Sequence, residues 1–430
     1  MTHPPAHRTH LALLVSVSAI LGGCPDNPGA GCPQACELGF QCDIATRTCI
    51  AAPRARYERA PPGRAVRIAA QGDLRWTASL DPSDGGIVVT EIDAEGRQDA
   101  RLLATPARSL DRRLAITAST QTILVAWLAA SGEYELAWRH IDDDHSMWNF
   151  DTVVAPSDDG YTGTNDFDLA TVGEQGVLLA FRDRNRSARL LVASAPSAEW
   201  LVELVDDGST TDDGITCPDQ LRRVQPAAGV GHDIDLAVRG STILTAYYDA
   251  DCGDLRLARR GDQRWAVTVV DTGDSEAVAA ERGLTGRWPS IAFDPGGAPA
   301  VAYHDVSSAR LMFAAERDER FEIEVVDAGF EIDAFSRERK NLVGAFASLA
   351  LDSGGAAAIV YFDATSADLR FASRGAPSAE WSRSTLVADG AVGFSATQVH
   401  TDAGRTVVAE RLTPAGTAFE SELVLLETGQ

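Results

Sequence analysis

Four dipeptides carry the side chains best suited to chemistry: Arg182-Asp183, Tyr248-Asp249, His304-Asp305 and Phe362-Asp363. Each closes a short apolar run rich in Val, Ala, Leu and aromatic residues. Taken together, these eight residues make a polar, ring-bearing rim that can hydrogen-bond the hydroxyls of a glycan or the main chain of a peptide. Taken singly, each aspartate accepts N–H bonds from the turn that follows it, and His304 is a surface imidazole paired with its neighbouring carboxylate. Hydrolytic or phosphoryl-transfer signatures are missing: there is no G-x-S-x-G elbow, H-E-x-x-H helix, P-loop or dinucleotide-binding glycine pattern. No residue is therefore assigned a catalytic or metal-binding role. The acidic loops at 157–160 and 206–214 supply oxygen ligands of the kind calcium takes, without a complete EF-hand pattern. The expectation is a chain with no cofactor, structural calcium being the one exception to weigh.

The elements that must position these residues repeat. The stretch from Pro289 to Gly329 reads as four short strands: Ser290–Phe293, Ala298–Tyr303, Arg310–Ala315 and Phe321–Val326, with Asp294-Pro295-Gly296-Gly297 as the first turn. Its first half recurs as SLALDSGGAAAIVYFD at 348–363 and, with more drift, at 233–249, 166–183 and 114–129. Its second half recurs at 254–273 and 368–390. Trp148, Trp200, Trp265, Phe321 and Trp381 open the fourth strand of each copy, while Trp127, Phe181, Tyr247, Tyr303 and Tyr361 close the second. A lone four-stranded meander cannot bury both faces, and stacking copies around an axis does. The predicted fold is all-β, a seven-bladed β-propeller of four-stranded blades over 64–430, with six blades as the alternative. The first and last copies supply three strands each, so Ala65–Ala70 is expected to complete the last blade as its fourth strand. Long insertions at 206–231, 272–288 and 328–345 follow fourth strands, on the same face as the second-strand ends, and loops of that length in a compact domain are often functional.

The N-terminal region differs in kind. Arg8 precedes an apolar run from Leu11 to Leu21, too short to span a bilayer and suited to a signal peptide. Its ending, Leu21-Gly22-Gly23-Cys24, resembles a bacterial lipobox, which implies lipid transfer to the Cys24 thiol and cleavage before it. Residues 1–23 are then a lipoprotein signal peptide, 24–50 a lipid anchor with a cysteine-rich spacer, and 51–63 a proline-bearing linker. Cys32, Cys36, Cys42 and Cys49 lie in that spacer with no histidine and no C-x2-C pair. In an oxidising compartment they form two disulfides rather than a zinc site. Three pairings are possible; Cys32–Cys42 with Cys36–Cys49 is the one favoured. The propeller phase puts Cys217 and Cys252 on one face, where a bond would brace the first insertion. All seven cysteines are thereby used.

Charge narrows the partners. The formal net charge of −24 at pH 7 repels nucleic-acid backbones and anionic lipid headgroups alike, so membrane attachment rests on acyl burial. The pattern S-[IL]-A-[FL]-D-x-G-G, followed by Y-x-D and L-[RM]-F-A, resembles repeats of bacterial exported propellers near the sialidase-like superfamily. The resemblance implies fold only. Sialidase sites use an arginine triad and a Tyr–Glu pair, and sialidases carry S-x-D-x-G-x-x-W boxes; no such box is present, so no catalytic residue is transferred. The functional expectation is a monomeric cell-envelope lipoprotein, exported to the outer membrane or cell surface. Its insertion-bearing face binds an envelope or extracellular protein or glycan without catalysis. A glycoside hydrolase-like enzyme and a purely structural envelope protein are the alternatives. Converging carboxylates at the channel mouth would mark the former.

Overall fold

The computed structural model describes residues 40–43, 48–51 and, with gaps in several loops, 64–428. Six antiparallel four-stranded sheets follow one another along the chain, at 64–103, 114–153, 163–206, 232–271, 285–327 and 343–387. The seventh copy, 391–428, forms a three-stranded sheet. The fold is an all-β propeller, with six four-stranded blades where seven were expected. In the unit read from 289–329, the strands run Thr285–Phe293, Pro299–Asp305, Arg310–Arg317 and Arg320–Asp327. All four expected strands are present, and the first begins earlier than its alternating pattern suggests.

The expected closure is corrected. Arg64–Gln71 does not join the last sheet as a fourth strand; it pairs with Leu74–Leu80 and opens the first blade. The tight turn at Gly72, whose φ of 58° suits glycine, folds Arg64–Gln71 onto the strand beside it. The ring closes instead through side chains. Val66, Ile68 and Ile92 of the first blade pack against Val408, Leu423 and Leu425 of the three-stranded sheet. Equivalent clusters fill each of the other blade interfaces, and Trp76, Trp127, Tyr247, Tyr303 and Tyr361 are among the largest side chains buried there.

The three tyrosines among them also latch blade to blade. The hydroxyls of Tyr247, Tyr303 and Tyr361 donate to Asp206, Asp271 and Asp327 at 2.7, 2.6 and 2.7 Å. Each aspartate ends the fourth strand of the preceding blade. Its other oxygen accepts the N–H of Gly208, Gly273 or Gly329 two residues on. The Asp-x-Gly that closes the third, fourth and fifth copies is thus both a turn cap and an acceptor for the next blade. Burial first, and the facing carboxylate second, hold all three phenols well above their ordinary value, so they remain donors.

The three insertions differ in content. The third folds partly into a short hairpin, Phe330–Ile332 with Glu338–Lys340, while much of the other two lies outside the described residues. In the spacer, Phe40–Asp43 pairs with Thr48–Ala51 so that Cys42 and Cys49 are register partners. Cys24, Cys32 and Cys36 lie outside the described residues, and with them the lipidation and pairing expectations.

Tyr361→Phe removes the hydroxyl that donates to Asp327 Oδ2 and leaves that buried carboxylate oxygen without it. It should lower stability by about 1–3 kcal/mol, read as a drop in the urea midpoint at unchanged slope. An unchanged midpoint would refute the latch.

Candidate functional site at the channel mouth

The first strand of each of the seven propeller sheets faces the axis. Arg64–Gln71, Leu114–Ala118, Gly163–Val172, His232–Arg239, Thr285–Phe293, Val343–Leu351 and Ala391–Thr401 together wall a channel of about 650 Å³. Their inner edges have no strand to pair with, so unmet N–H groups need other acceptors. Side chains of neighbouring blades supply them. Asp168 accepts from Leu236 N (2.8 Å), Asp235 from Ile291 N (2.6 Å), Ser290 from Leu349 N (3.1 Å) and Ser348 from Gln398 N (3.2 Å). From the third sheet to the seventh, one short polar residue per blade therefore stitches each inner strand to the next.

Above this belt the inner strands bulge. Their registers shift between His232 and Asp235, Arg287 and Ser290, Ala345 and Ser348, and Phe394 and Thr397. In each bulge one non-glycine residue takes a left-handed conformation: Asp233, Trp288, Phe346 and Ser395, at φ of 52°, 47°, 52° and 52°. Bulky residues avoid that region at a cost of roughly 1–3 kcal/mol each. A glycine stands two residues before every one of them. Gly286 and Gly344 are indispensable, because a Cβ there would lie 2.6 and 2.8 Å from the Cα of Leu255 and Leu311 in the preceding blade. Strain repeated at one phase of four blades points to a functional rim.

The rim is aromatic on one side and charged on the other. Trp288 packs 5.0 Å from Phe346, and Phe346 lies 6.2 Å from Phe394. Asp166 Oδ1 accepts the Asp233 N–H (3.1 Å), and its Oδ2 lies 3.3 Å from His232 Nδ1 and 3.7 Å from an Arg182 terminal nitrogen. Asp233 in turn binds Arg287 Nε and the Trp288 N–H. The Arg287 guanidinium lies over Tyr248 and Trp288, at 5.3 and 4.8 Å from their ring centres. Burial opposes its charge and Asp233 outweighs the burial, so it stays protonated above its ordinary value.

The residues expected from sequence divide into two sets. Asp249, Asp305 and Asp363 cap the turns that follow them, accepting from Asp251 and Cys252, from Ser307 and Ser308, and from Thr365 and Ser366. Asp183 is buried. The rings form a supporting layer: Tyr248 lies opposite His232, His304 opposite Arg287 and Phe362 opposite Ala345 across the first two strands. Phe362 stacks 4.6 Å from Phe394, and His304 lies 5.6 Å from Trp288. Burial pushes the Tyr248 phenol up to about 12. Sequence reading missed the outer layer of Asp166, His232, Asp233, Arg287, Trp288, Phe346, Phe394 and Ser395. The signal was present: Gly231, Gly286, Gly344 and Gly393 recur just ahead of the copies, outside the boundaries drawn from alternation.

Cys252 is buried, 3.6 Å from an Arg256 terminal nitrogen; Cys217 lies outside the described residues. Asp249, Cys252 and Asp254 converge closely. The Arg256 guanidinium takes up that corner, at 2.5 Å from Asp249 and 2.9 Å from Asp206, so the cluster is an ion-pair knot. In the acidic loop considered for calcium, Asp213 accepts from Thr211 and from Val269 N; 157–160 lies outside the described residues.

No family model and no curated protein matches the sequence. Structural neighbours are β-propeller proteins at low identity. The polysaccharide lyase Uly1 is 9% identical over 86% of this chain and 91% of its own, with a TM-score of 0.48. The β-propeller domain of Myceliophteria thermophila Cps50 (Swd1) is 10% identical over 87% and 99%, at 0.47. A fucose-specific lectin from Aleuria aurantia is 12% identical over 76% and 98%, at 0.43. At these identities and TM-scores the likenesses transfer no residue and no role to this chain.

Burial holds the His304 imidazole below its ordinary value of 6.5, against the upward pull of its Nδ1 contact with the Val343 carbonyl at 2.8 Å. The folded chain then binds fewer protons than the unfolded chain just below pH 6.5. This contribution to stability is complete above that pH and is lost as the pH falls toward the folded value. His304→Gln should flatten the slope of stability against pH in that window. An NMR titration that places the imidazole at or above 6.5 would contradict the burial argument.

Proposed function

We propose that this chain is a carbohydrate-binding propeller that takes its ligand at the channel mouth on the insertion-bearing face. The observation that carries the reading is the set of strained bulges. They hold Trp288 and Phe346 half-exposed beside Asp233 and Ser395, with Phe394 and Arg287 adjoining. Aromatic faces stack on the apolar face of a sugar ring, while carboxylate, hydroxyl and guanidinium groups exchange hydrogen bonds with its hydroxyls. The supporting layer of Tyr248, His304 and Phe362 keeps those groups in place.

Binding is favoured over glycoside hydrolysis by the state of the two nearest carboxylates. A hydrolase needs one carboxyl free to give a proton and another free to attack or to activate water. Asp166 is committed to His232, Arg182 and the Asp233 amide, and Asp233 to Arg287. A protein partner on the same face is the competing occupant.

In this reading the propeller is exported and held at the cell envelope by lipid on Cys24, a proposal that rests on the lipobox-like sequence alone. Cys24→Ala should abolish incorporation of a labelled fatty acid in a bacterial host and release the chain from the membrane fraction. Continued labelling would end the anchor hypothesis.

On a glycan array, the wild-type protein should retain a defined subset of oligosaccharides. Trp288→Ala and Phe394→Ala should each weaken that retention by roughly threefold to tenfold, since one stacked ring contributes about 0.5–1.5 kcal/mol. Unaltered retention by both variants would move the ligand away from this rim.

A further inference from the structure

The seventh sheet is one strand short. Ala391–Thr401, Gly404–Ala415 and Ala418–Thr428 form it, where the other six propeller sheets have four strands. Ala418–Thr428 pairs along all 11 of its residues with Gly404–Ala415 on one side. On the other side it pairs with no strand among the described residues. Alternate residues of an antiparallel strand turn their N–H and C=O groups outward, so about half of its main-chain groups lack a ladder partner. An open edge of that length is a template for one more extended segment.

The burial of this strand is that of an inner one. Val424 and Leu426 pack on Val360, Leu369 and Val387 of the sixth blade, and Leu423 and Leu425 on Val66, Ile68 and Ile92 of the first. All four are buried, as Leu311 to Ala315 are in the third strand of the fifth blade. Fourth strands differ, and expose Leu201, Leu204, Ile323 and Val325. The open edge is thus set between two blades that each carry one more strand, Gln98–Leu103 and Ser382–Val387. That place takes a single strand, because a folded partner would meet the two flanking strands first.

The chain itself must pass this place. Residues 52–63 lie outside the described residues, but both of their ends are located. Phe40–Asp43 of the spacer hairpin lies beside Ser382–Val387, the outermost strand of the sixth blade. Arg64 opens the innermost strand of the first blade, on the insertion-bearing face. The seventh blade stands between those two points, so residues 52–63 have to cross it. Extended, they span roughly 40 Å, enough to run the height of a sheet and return to the axis.

We infer that residues 54–60 of this chain dock on the open edge of Ala418–Thr428 as the fourth strand of the seventh sheet. Pro53 and Pro61-Pro62, which cannot donate to a ladder, bracket Arg54-Ala55-Arg56-Tyr57-Glu58-Arg59-Ala60. That length matches the fourth strands of the other sheets, which hold 5 to 8 residues. Arg54, Arg56 and Arg59 complement an edge strand that carries Glu420, Glu422 and Glu427 and no cation. Paired antiparallel, the segment ends on the insertion-bearing face, and residues 61–63 reach Arg64. A connection of the same length joins Val387, the end of the sixth blade, to Ala391. The stretch expected to be a linker then holds the cysteine-rich spacer at a fixed place on the propeller. This inference is independent of the carbohydrate reading and stands whether or not Cys24 carries lipid.

The test is amide hydrogen exchange of the full chain, read by mass spectrometry. In the wild type, residues 54–60 should be protected to the same degree as the fourth strands of the other sheets. A full-length variant with residues 54–60 replaced by a Gly-Ser run of equal length should exchange about tenfold faster or more across Ala418–Thr428. Arg310–Arg317 should be unchanged in that variant, which shows that the ring still folds. Tyr57→Pro, a milder break in the ladder, should raise exchange in the same two segments. If residues 54–60 of the wild type exchange at the rate of an unstructured chain, the inference is overturned. It is equally overturned if both variants protect Ala418–Thr428 as the wild type does. Wild-type protection of that edge that fades on dilution would assign it to a second copy of the chain and would also overturn the inference.

Discussion

Every blade of a propeller leaves one strand edge facing the axis, and those edges must be satisfied without a partner strand. This constraint organises the centre of the molecule. Asp168, Asp235, Ser290 and Ser348 each lend an oxygen to a main-chain N–H of the following blade. Their size is set by the task. A short polar side chain reaches the neighbouring edge, whereas a long one would fill the channel. Because these bonds cross between sheets, they also set the rotation of one blade against the next. The rim above them inherits that geometry.

The same crossing pattern operates at larger radius. Tyr247, Tyr303 and Tyr361 reach back to the aspartate that ends the preceding blade, so apolar interfaces carry a directional bond as well as buried area. Hydrophobic packing alone tolerates sliding of one sheet on another. A buried phenol–carboxylate bond does not, because sliding would strand both partners. Ring closure between the first blade and the three-stranded sheet uses packing between Val66, Ile68, Val408 and Leu425. The N-terminal strand therefore contributes a face to closure and no ladder.

The channel mouth repeats one strained conformation at the same place in four blades. Four non-glycine residues sit in left-handed backbone, two of them aromatic, and each is prepared by a glycine that lets the strand pass against its neighbour. Such geometry persists because the surrounding belt over-determines it. The rings beneath, Tyr248, His304 and Phe362, are buried or nearly so, which explains why the second strands end in large residues. They brace the rim, and the aspartates that follow them cap turns.

Alternation, turn glycines and the recurrence of Tyr-x-Asp and Asp-x-Gly were enough to determine that this chain is a β-propeller, where its blades lie, and that second-strand ends and long insertions share a face. Those features are local: each depends on residues within one hairpin. The sequence misassigned Ala65–Ala70, because a strand has the same pattern whether it opens its own blade or completes another. It also concealed the bulges. A residue in left-handed backbone leaves no trace in alternation, and Trp288 before Pro289 read as the end of the 272–288 insertion. Only the tertiary structure decided these points, because partners such as Asp166 with His232, or Arg374 with Glu324, are brought together by the packing of one blade against the next.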